Sequence, residues 1–352
     1  MMRIKTREKV TALLMAALVS LGAATESFAF TPWSNINGKW ISADGKTVIE
    51  DAVEKGITVS KYQNLKGEID WKQVADDEIS FAMVRLGYYE DKDPYFDQNM
   101  KDADEAGIKT GVCFYSNATT VQEVKKEAQY VLDIVKDYKV SYPISYDLDA
   151  AGELEKKLTR EQQTELVRTF CEEIEGAGYR VVVFGDYESL TKQINAKKVP
   201  YDVWYNRQGM SNNFQNRTMW RCTNKGKVNG IKGSVCIEFS FENYEDAFLA
   251  DGWREINGTE YYFENYAMVK NRSVIIEGER YRFDEEGNGT VKGSVGPGSM
   301  EESRKTTSTT RTTNSARNAN STSRTGYPRL MPATEDGNKS LGVVDSEENM
   351  IP

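Results

Sequence analysis

Between residues 56 and 240 short apolar runs alternate with amphipathic stretches, and this alternation constrains the fold more than any other feature of the chain. Eight runs read as strands: Gly56–Ser60, Phe81–Leu86, Thr110–Ser116, Pro143–Leu148, Arg180–Gly185, Asp202–Tyr205, Thr218–Cys222 and Ser234–Phe239. Helices are signalled between the earlier ones. Thr120 and Glu123 make a capping-box pair ahead of Val121, Val124, Ala128, Val131, Leu132 and Val135, which follow helical spacing. Thr159 and Gln162 do the same ahead of Leu166, Phe170, Ile174 and Ala177. After Tyr205 the gaps are shorter and polar. Eight strands with helices only in the first part predict an α/β barrel whose second half is simplified.

The flanks differ in character. Arg3, Lys5, Arg7 and Lys9 precede an apolar run from Val10 to Ala24, and Ser27-Phe28-Ala29 offers small residues for cleavage. Residues 1–29 therefore read as a secretory signal and the protein as exported. The run is shorter than the ~20 residues a spanning helix needs, and no later segment approaches that length. Residues 30–55 form a short N-terminal segment, and 56–250 the barrel. Residues 251–293 carry an internal repeat: Ile256-Asn257-Gly258-Thr259-Glu260-Tyr261-Tyr262-Phe263 aligns with Ile276-Glu277-Gly278-Glu279-Arg280-Tyr281-Arg282-Phe283 at a period of 20. Such units suit small stacked hairpins. A fainter copy sits before the barrel, in Ile36-Asn37-Gly38-Lys39-Trp40. From 294 to 352 the chain is a low-complexity tail; 13 of the 23 residues in Ser303–Thr325 are Ser or Thr, a composition that cannot bury a core.

Composition removes several chemistries. The formal charge is −9, and the leader's four basic and two acidic side chains leave the remainder at −11. Nucleic acid is thus a poor partner, since phosphate contacts need clustered Lys and Arg. The chain has no histidine, which excludes Ser-His-Asp and Cys-His catalysis and every His-bearing zinc site. Cys113, Cys171, Cys222 and Cys236 contain no C-x-x-C pair, so no metal or other cofactor is expected. A Cys222–Cys236 disulfide is left open, because geometry decides it. Acid–base chemistry falls to carboxylates, Tyr, Lys or Cys.

Asp147 and Asp149 are the sharpest feature. Two apart on a strand, they face the same side, and at the C-terminal mouth of a barrel that side is where active sites form. Two carboxyls crowded together cannot easily both ionise, so one can stay protonated beside an ionised partner, the pairing that general acid–base chemistry needs. The same pair also suits a plain strand-to-helix turn.

Several segments resemble glycoside hydrolase family 25, the lysozyme-like muramidases. They are Gly56-Ile57-Thr58-Val59-Ser60-Lys61-Tyr62-Gln63, Phe81-Ala82-Met83-Val84-Arg85-Leu86-Gly87-Tyr88, Gly111-Val112-Cys113-Phe114-Tyr115-Ser116, Pro143-Ile144-Ser145-Tyr146-Asp147-Leu148-Asp149 and Met219-Trp220-Arg221-Cys222, with Val228–Val235 closing the series. The resemblance implies a TIM-like barrel of five strand–helix units and three further strands, no metal, and peptidoglycan as the partner. It implies hydrolysis of the β-1,4 bond between N-acetylmuramic acid and N-acetylglucosamine.

By the same resemblance Asp149 stands where the family's proton donor is usually Glu, and Asp147 matches. Thr58 and Cys236 replace two further aspartates, and Arg221 replaces a glutamine. Glu238 shares a side of its strand with Cys236 and is a candidate auxiliary acid. Two outcomes stay open: a rebuilt acid set of Asp147, Asp149 and Glu238, or an inactive barrel that binds wall glycan. Tyr115, Tyr146, Trp204 and Trp220, with Arg221, are candidate substrate contacts. The repeats resemble aromatic cell-wall-binding repeats, with Trp253, Tyr261, Tyr262 and Tyr281 as candidate stacking surfaces and a wall-associated location as the consequence.

Overall fold

The computed structural model describes residues 33–294, apart from 43–47, 89–90, 150–156, 209–216 and 245–249. The leader (1–29) and residues 295–352 of the tail lie outside the described residues.

The apolar runs form a closed barrel. Its strands are β4 (Glu54–Val59), β5 (Phe81–Tyr88), β7 (Lys109–Tyr115), β8 (Ile144–Asp147), β9 (Val181–Gly185), β10 (Asp202–Asn206), β11 (Met219–Gly226) and β12 (Val235–Ser240). Neighbours are parallel from β4 through β11, while β12 runs antiparallel to β11 and to β4 and so closes the ring. A short β6 (Asp91–Lys92) folds back on the end of β5.

Helices α1 (Lys61–Asn64) and α2 (Trp71–Asp76) follow β4, α3 (Phe96–Glu105) precedes β7, α4 (Val121–Val135) follows β7 and α5 (Arg160–Gly176) precedes β9. Thr120 and Thr159 cap α4 and α5 with both halves of the capping box in place. The fifth crossover differs: between β9 and β10 the chain makes only a π turn (Ser189–Gln193) and a 3-10 turn (Ala196–Lys198). Pro200, two residues beyond, rules out continuing the second turn as a helix.

Alternation along the strands sorts the side chains. Phe81, Met83, Cys113, Tyr142, Val182, Phe184, Trp204 and Met219 fill the interior, where Phe81 stacks on Tyr142 at 4.2 Å. Gly56 permits this filling, since a Cβ there would lie 2.5 Å from the Phe81 ring. Cys222 falls on the outer face and Cys236 on the inner, and all four cysteines are free. Two thiols on opposite faces of the wall cannot be bridged without moving the backbone, which settles the disulfide question.

Among the described residues no helix lies over β11 and β12. Their outer face, including Trp220 and Phe239, is covered instead by the sheet of β1 (Trp33–Ile36), β2 (Lys39–Ser42) and β3 (Val48–Ile49). Trp33 and Trp40 meet Phe239 edge-on at 5.1 and 5.7 Å.

After the barrel come two more three-stranded antiparallel sheets. One is β13 (Gly252–Ile256), β14 (Thr259–Glu264) and β15 (Ala267–Met268), and the other β16 (Ser273–Ile276), β17 (Glu279–Phe283) and β18 (Gly289–Ser294). The first hairpins of all three small sheets turn through a residue and a glycine with positive φ: Asn37 (56°) and Gly38 (78°), Asn257 (51°) and Gly258 (78°), Glu277 (51°) and Gly278 (86°). That pair of conformations matches the right-handed twist of the strands it joins.

Candidate active site

Seven parallel strands end with their C-termini at one mouth, and β8 delivers Asp147 and Asp149 there. Asp147 is 8% exposed, and its Oδ1 accepts from the Asp149 amide at 2.9 Å. Asp149 stands exposed just past the strand. Its Oδ1 accepts from the Asp186 amide (3.0 Å) and Ser189 Oγ (2.7 Å), and its Oδ2 accepts from Asn206 Nδ2 (2.7 Å). In this arrangement Asp149 acts only as an acceptor. Asp186, Ser189 and Asn206 were not singled out from the sequence. They come from β9, its π turn and β10, and only ring closure brings those elements beside β8.

The other expected acid lies elsewhere. Glu238 is fully buried, so it does not reach the mouth as an auxiliary acid. Its carboxylate accepts from Thr58 Oγ1 (2.6 Å), Arg221 Nε (2.8 Å) and Trp204 Nε1 (2.8 Å). Burial pushes the Glu238 carboxyl above the usual range, against the pull of Arg221, Thr58 and Trp204. A raised pKa suits a proton donor, but a donor must touch its substrate, and access decides against Glu238.

Arg221 completes the network. It donates to Thr58 Oγ1 at 2.9 Å and lies over the rings of Phe184 and Trp204, at 4.4 and 4.8 Å. Thr58 and Cys236 pair across β4 and β12 at the same level. Burial raises the Cys236 thiol while Arg221 opposes the rise, so a neutral thiol stands at that position. Where the family resemblance leads one to look for two carboxylates, the chain holds a compensated ion pair.

The aromatic candidates divide. Tyr115 faces inward, its ring 5.8 Å from the Arg85 guanidinium, and both Arg85 and Asp147 act on its phenol electrostatically. Trp204 faces inward but is spent on Glu238. Tyr146 and Trp220 are corrections: both point out of the barrel. Tyr146 packs against Phe170 of α5 (5.2 Å), and Trp220 stacks on Phe239 while donating to the Arg207 carbonyl.

In the hairpin sheets Trp253 is 40% exposed and meets Tyr262 and Tyr281 edge-on, each at 5.2 Å. These rings fill one another's space. They present an outer surface through Trp253. Tyr261 lies on the other face of β14 and packs against the main core, so it does not join that surface.

Residues 57–231, the span of the barrel up to the last turn before β12, match the family model described as Glycosyl hydrolases family 25. This stretch is a family 25 domain. The chain is also similar in structure to the modular autolysin LytC from Streptococcus pneumoniae in complex with a synthetic peptidoglycan ligand, at 24% identity and a TM-score of 0.52, covering 60% of this chain and 52% of that one. A second structure of that autolysin, at 1.6 Å resolution, gives 23% identity and a TM-score of 0.51 with the same coverage. The chain thus spans about half the length of these proteins. At that identity the likeness speaks for the fold. No curated protein matches the sequence. Within the family 25 domain, Asp147 and Asp149 are the acids that β8 brings to the mouth.

Proposed function

We propose that the chain is an exported, wall-associated protein whose family 25 domain acts on peptidoglycan as a muramidase, cutting the β-1,4 bond between N-acetylmuramic acid and N-acetylglucosamine. The observation that carries this reading is the Asp147–Asp149 pair at the C-terminal end of β8, at the mouth of a family 25 barrel. Asp149 gives the proton to the leaving oxygen. Of its three donor groups only the Ser189 hydroxyl can turn from donating to accepting by rotating its own proton, so it is the contact that adapts when Asp149 is protonated. Asp147 faces the sugar and orients its acetamido group, whose own oxygen attacks the anomeric carbon; a substrate-assisted route requires fewer protein carboxylates. The exposed surface of Trp253, Tyr262 and Tyr281 holds wall carbohydrate by stacking.

A second reading, an inactive barrel that binds wall glycan, is favoured by one observation. Glu238 is locked to Arg221, and Thr58 and Cys236 carry no carboxylate. Incubation of the chain with purified peptidoglycan, followed by mass spectrometry, separates the two. Fragments with new reducing muramic-acid ends, lost in Asp149→Asn, establish the muramidase. Co-sedimentation with the wall without any release establishes the binding module.

A further inference from the structure

Beside the aspartates the barrel mouth holds a hollow of about 140 Å³, lined in the main by charged side chains from the start of α1, the end of β5 and the β6 turn. Its floor is closed. Arg85 donates to Asp93 Oδ2 through Nε (3.2 Å) and Nη2 (2.8 Å), and the same carboxylate takes the amides of Lys61 (2.9 Å) and Tyr95 (3.0 Å). The Tyr62 ring lies beneath the Lys61 ammonium (5.6 Å) and the Arg85 guanidinium (5.0 Å), so it does not serve as a bare platform for a sugar. Lys92 is drawn away to Asp97 at 2.5 Å.

Two charges remain in the hollow. Among the described residues the Lys61 ammonium and the Asp91 carboxylate take part in no ion pair, and both line the hollow. Covering them with a neutral sugar would desolvate two charges without compensation. A ligand that carries a carboxylate and an amine satisfies both.

The strand order supplies the reach. Around the ring β4, β5, β7 and β8 are successive neighbours, so the hollow at β5 stands two strand spacings, roughly 10 Å, from Asp147. Tyr115, on the strand between them, lies against Arg85 on one side and feels Asp147 on the other. A substituent on a sugar seated over Asp147 extends over that distance.

We propose that this hollow is a subsite for the charged stem peptide borne by the muramic acid of the glycan, with Lys61 taking a peptide carboxylate and Asp91 a peptide amine. The proposal rests on the peptidoglycan reading above and adds to it a requirement for the peptide. It is tested by titration calorimetry of the full chain with two probes: a disaccharide–tetrapeptide muropeptide, and the same disaccharide freed of its peptide by an amidase, which keeps only the lactyl carboxylate. The muropeptide binds about fivefold tighter, the scale of one exposed charge pair, and this ratio falls toward one in Lys61→Met and in Asp91→Asn. Equal affinity of the wild-type chain for the two probes overturns the subsite and leaves the glycan reading intact, as does a ratio that survives both exchanges. Failure of both probes to bind overturns the glycan reading and the subsite with it. Circular dichroism of both variants guards against misfolding, and because the two sites are independent, one folded variant suffices.

Discussion

At the scale of single residues, the Arg221–Glu238 pair decides what the interior of the mouth is for. Both side chains are buried and each satisfies the other. Removing one partner strands a charge in a low dielectric, at about 3–5 kcal/mol, whereas replacing both by apolar groups of like volume is close to neutral. Arg221→Met and Glu238→Met are therefore each expected to lower the urea midpoint strongly, and the double variant to recover most of the loss. Additive losses across that cycle would show that the two residues act separately. The network also explains why restoring an aspartate at Thr58 alone is a poor repair, since the Thr58 hydroxyl sits 2.6 Å from the Glu238 carboxylate and a second anion there meets repulsion. Part of this was legible beforehand. Period two along β12 puts Glu238 on the side of Cys236, and Arg221 stands out as a charge where the resemblance implies a neutral glutamine. The same parity, applied strictly, would have sent Tyr146 outward from an inward Asp147 and Trp220 outward from an inward Arg221. Burial was not legible, because the depth of Glu238 follows from closing the ring.

Among the elements, the N-terminal sheet is the least expected part of the fold, because it does the work of a helix. The missing helices over β11 and β12 were readable from the short polar gaps, but not what covers Phe239 in their place. The sheet also traps a lysine. Lys55 on β4 is 1% exposed, with Nζ 3.4 Å from the Trp33 carbonyl, 5.1 Å from the Trp40 ring and 3.9 Å from Glu78. Burial lowers its pKa, against the attraction of Asp77, Glu78 and Cys222. A lysine with a depressed folded pKa binds fewer protons folded than unfolded, so folding gains stability as pH rises from the folded value toward the unfolded one near 10.4. Below that window the buried charge is a standing cost. Lys55→Met is thus expected to stabilise the chain at pH 7 by on the order of 1 kcal/mol, with the advantage shrinking as pH rises toward 10. Denaturation midpoints of the two proteins at pH 7 and pH 10 check this; an advantage that does not change with pH would assign it to packing alone.

For the whole molecule, the question is whether the hairpin sheets after the barrel are an appendage or part of its closure. The repeat and its turns were visible in Asn257-Gly258 and Glu277-Gly278, whereas the docking was not, since it depends on side chains far apart in sequence. Arg254 of β13 is 6% exposed, with its guanidinium 5.0 Å from the Tyr179 ring of the barrel and 4.2 Å from Phe263. Asn257 donates to the Gln129 carbonyl of α4, and Lys270 pairs with Asp137 at 2.6 Å. Tyr266 joins the interior cluster that contains Phe81 and Tyr142, at the end of the barrel where β5 and β8 begin. The first hairpin sheet therefore closes the barrel at the end opposite the mouth. A chain cut after residue 250 loses Tyr266 and Phe263 from the core, and burying two such rings is worth about 3–6 kcal/mol. Arg254→Ala, which keeps Tyr266 and Phe263 and removes the side chain that packs against Tyr179 and Phe263, is expected to cost about 1–2 kcal/mol. Urea unfolding of the full chain, the point variant and the truncated chain ranks them in that order if closure is shared. An unchanged midpoint in the truncated chain would make the sheets a tethered module, and the barrel a domain that closes by itself.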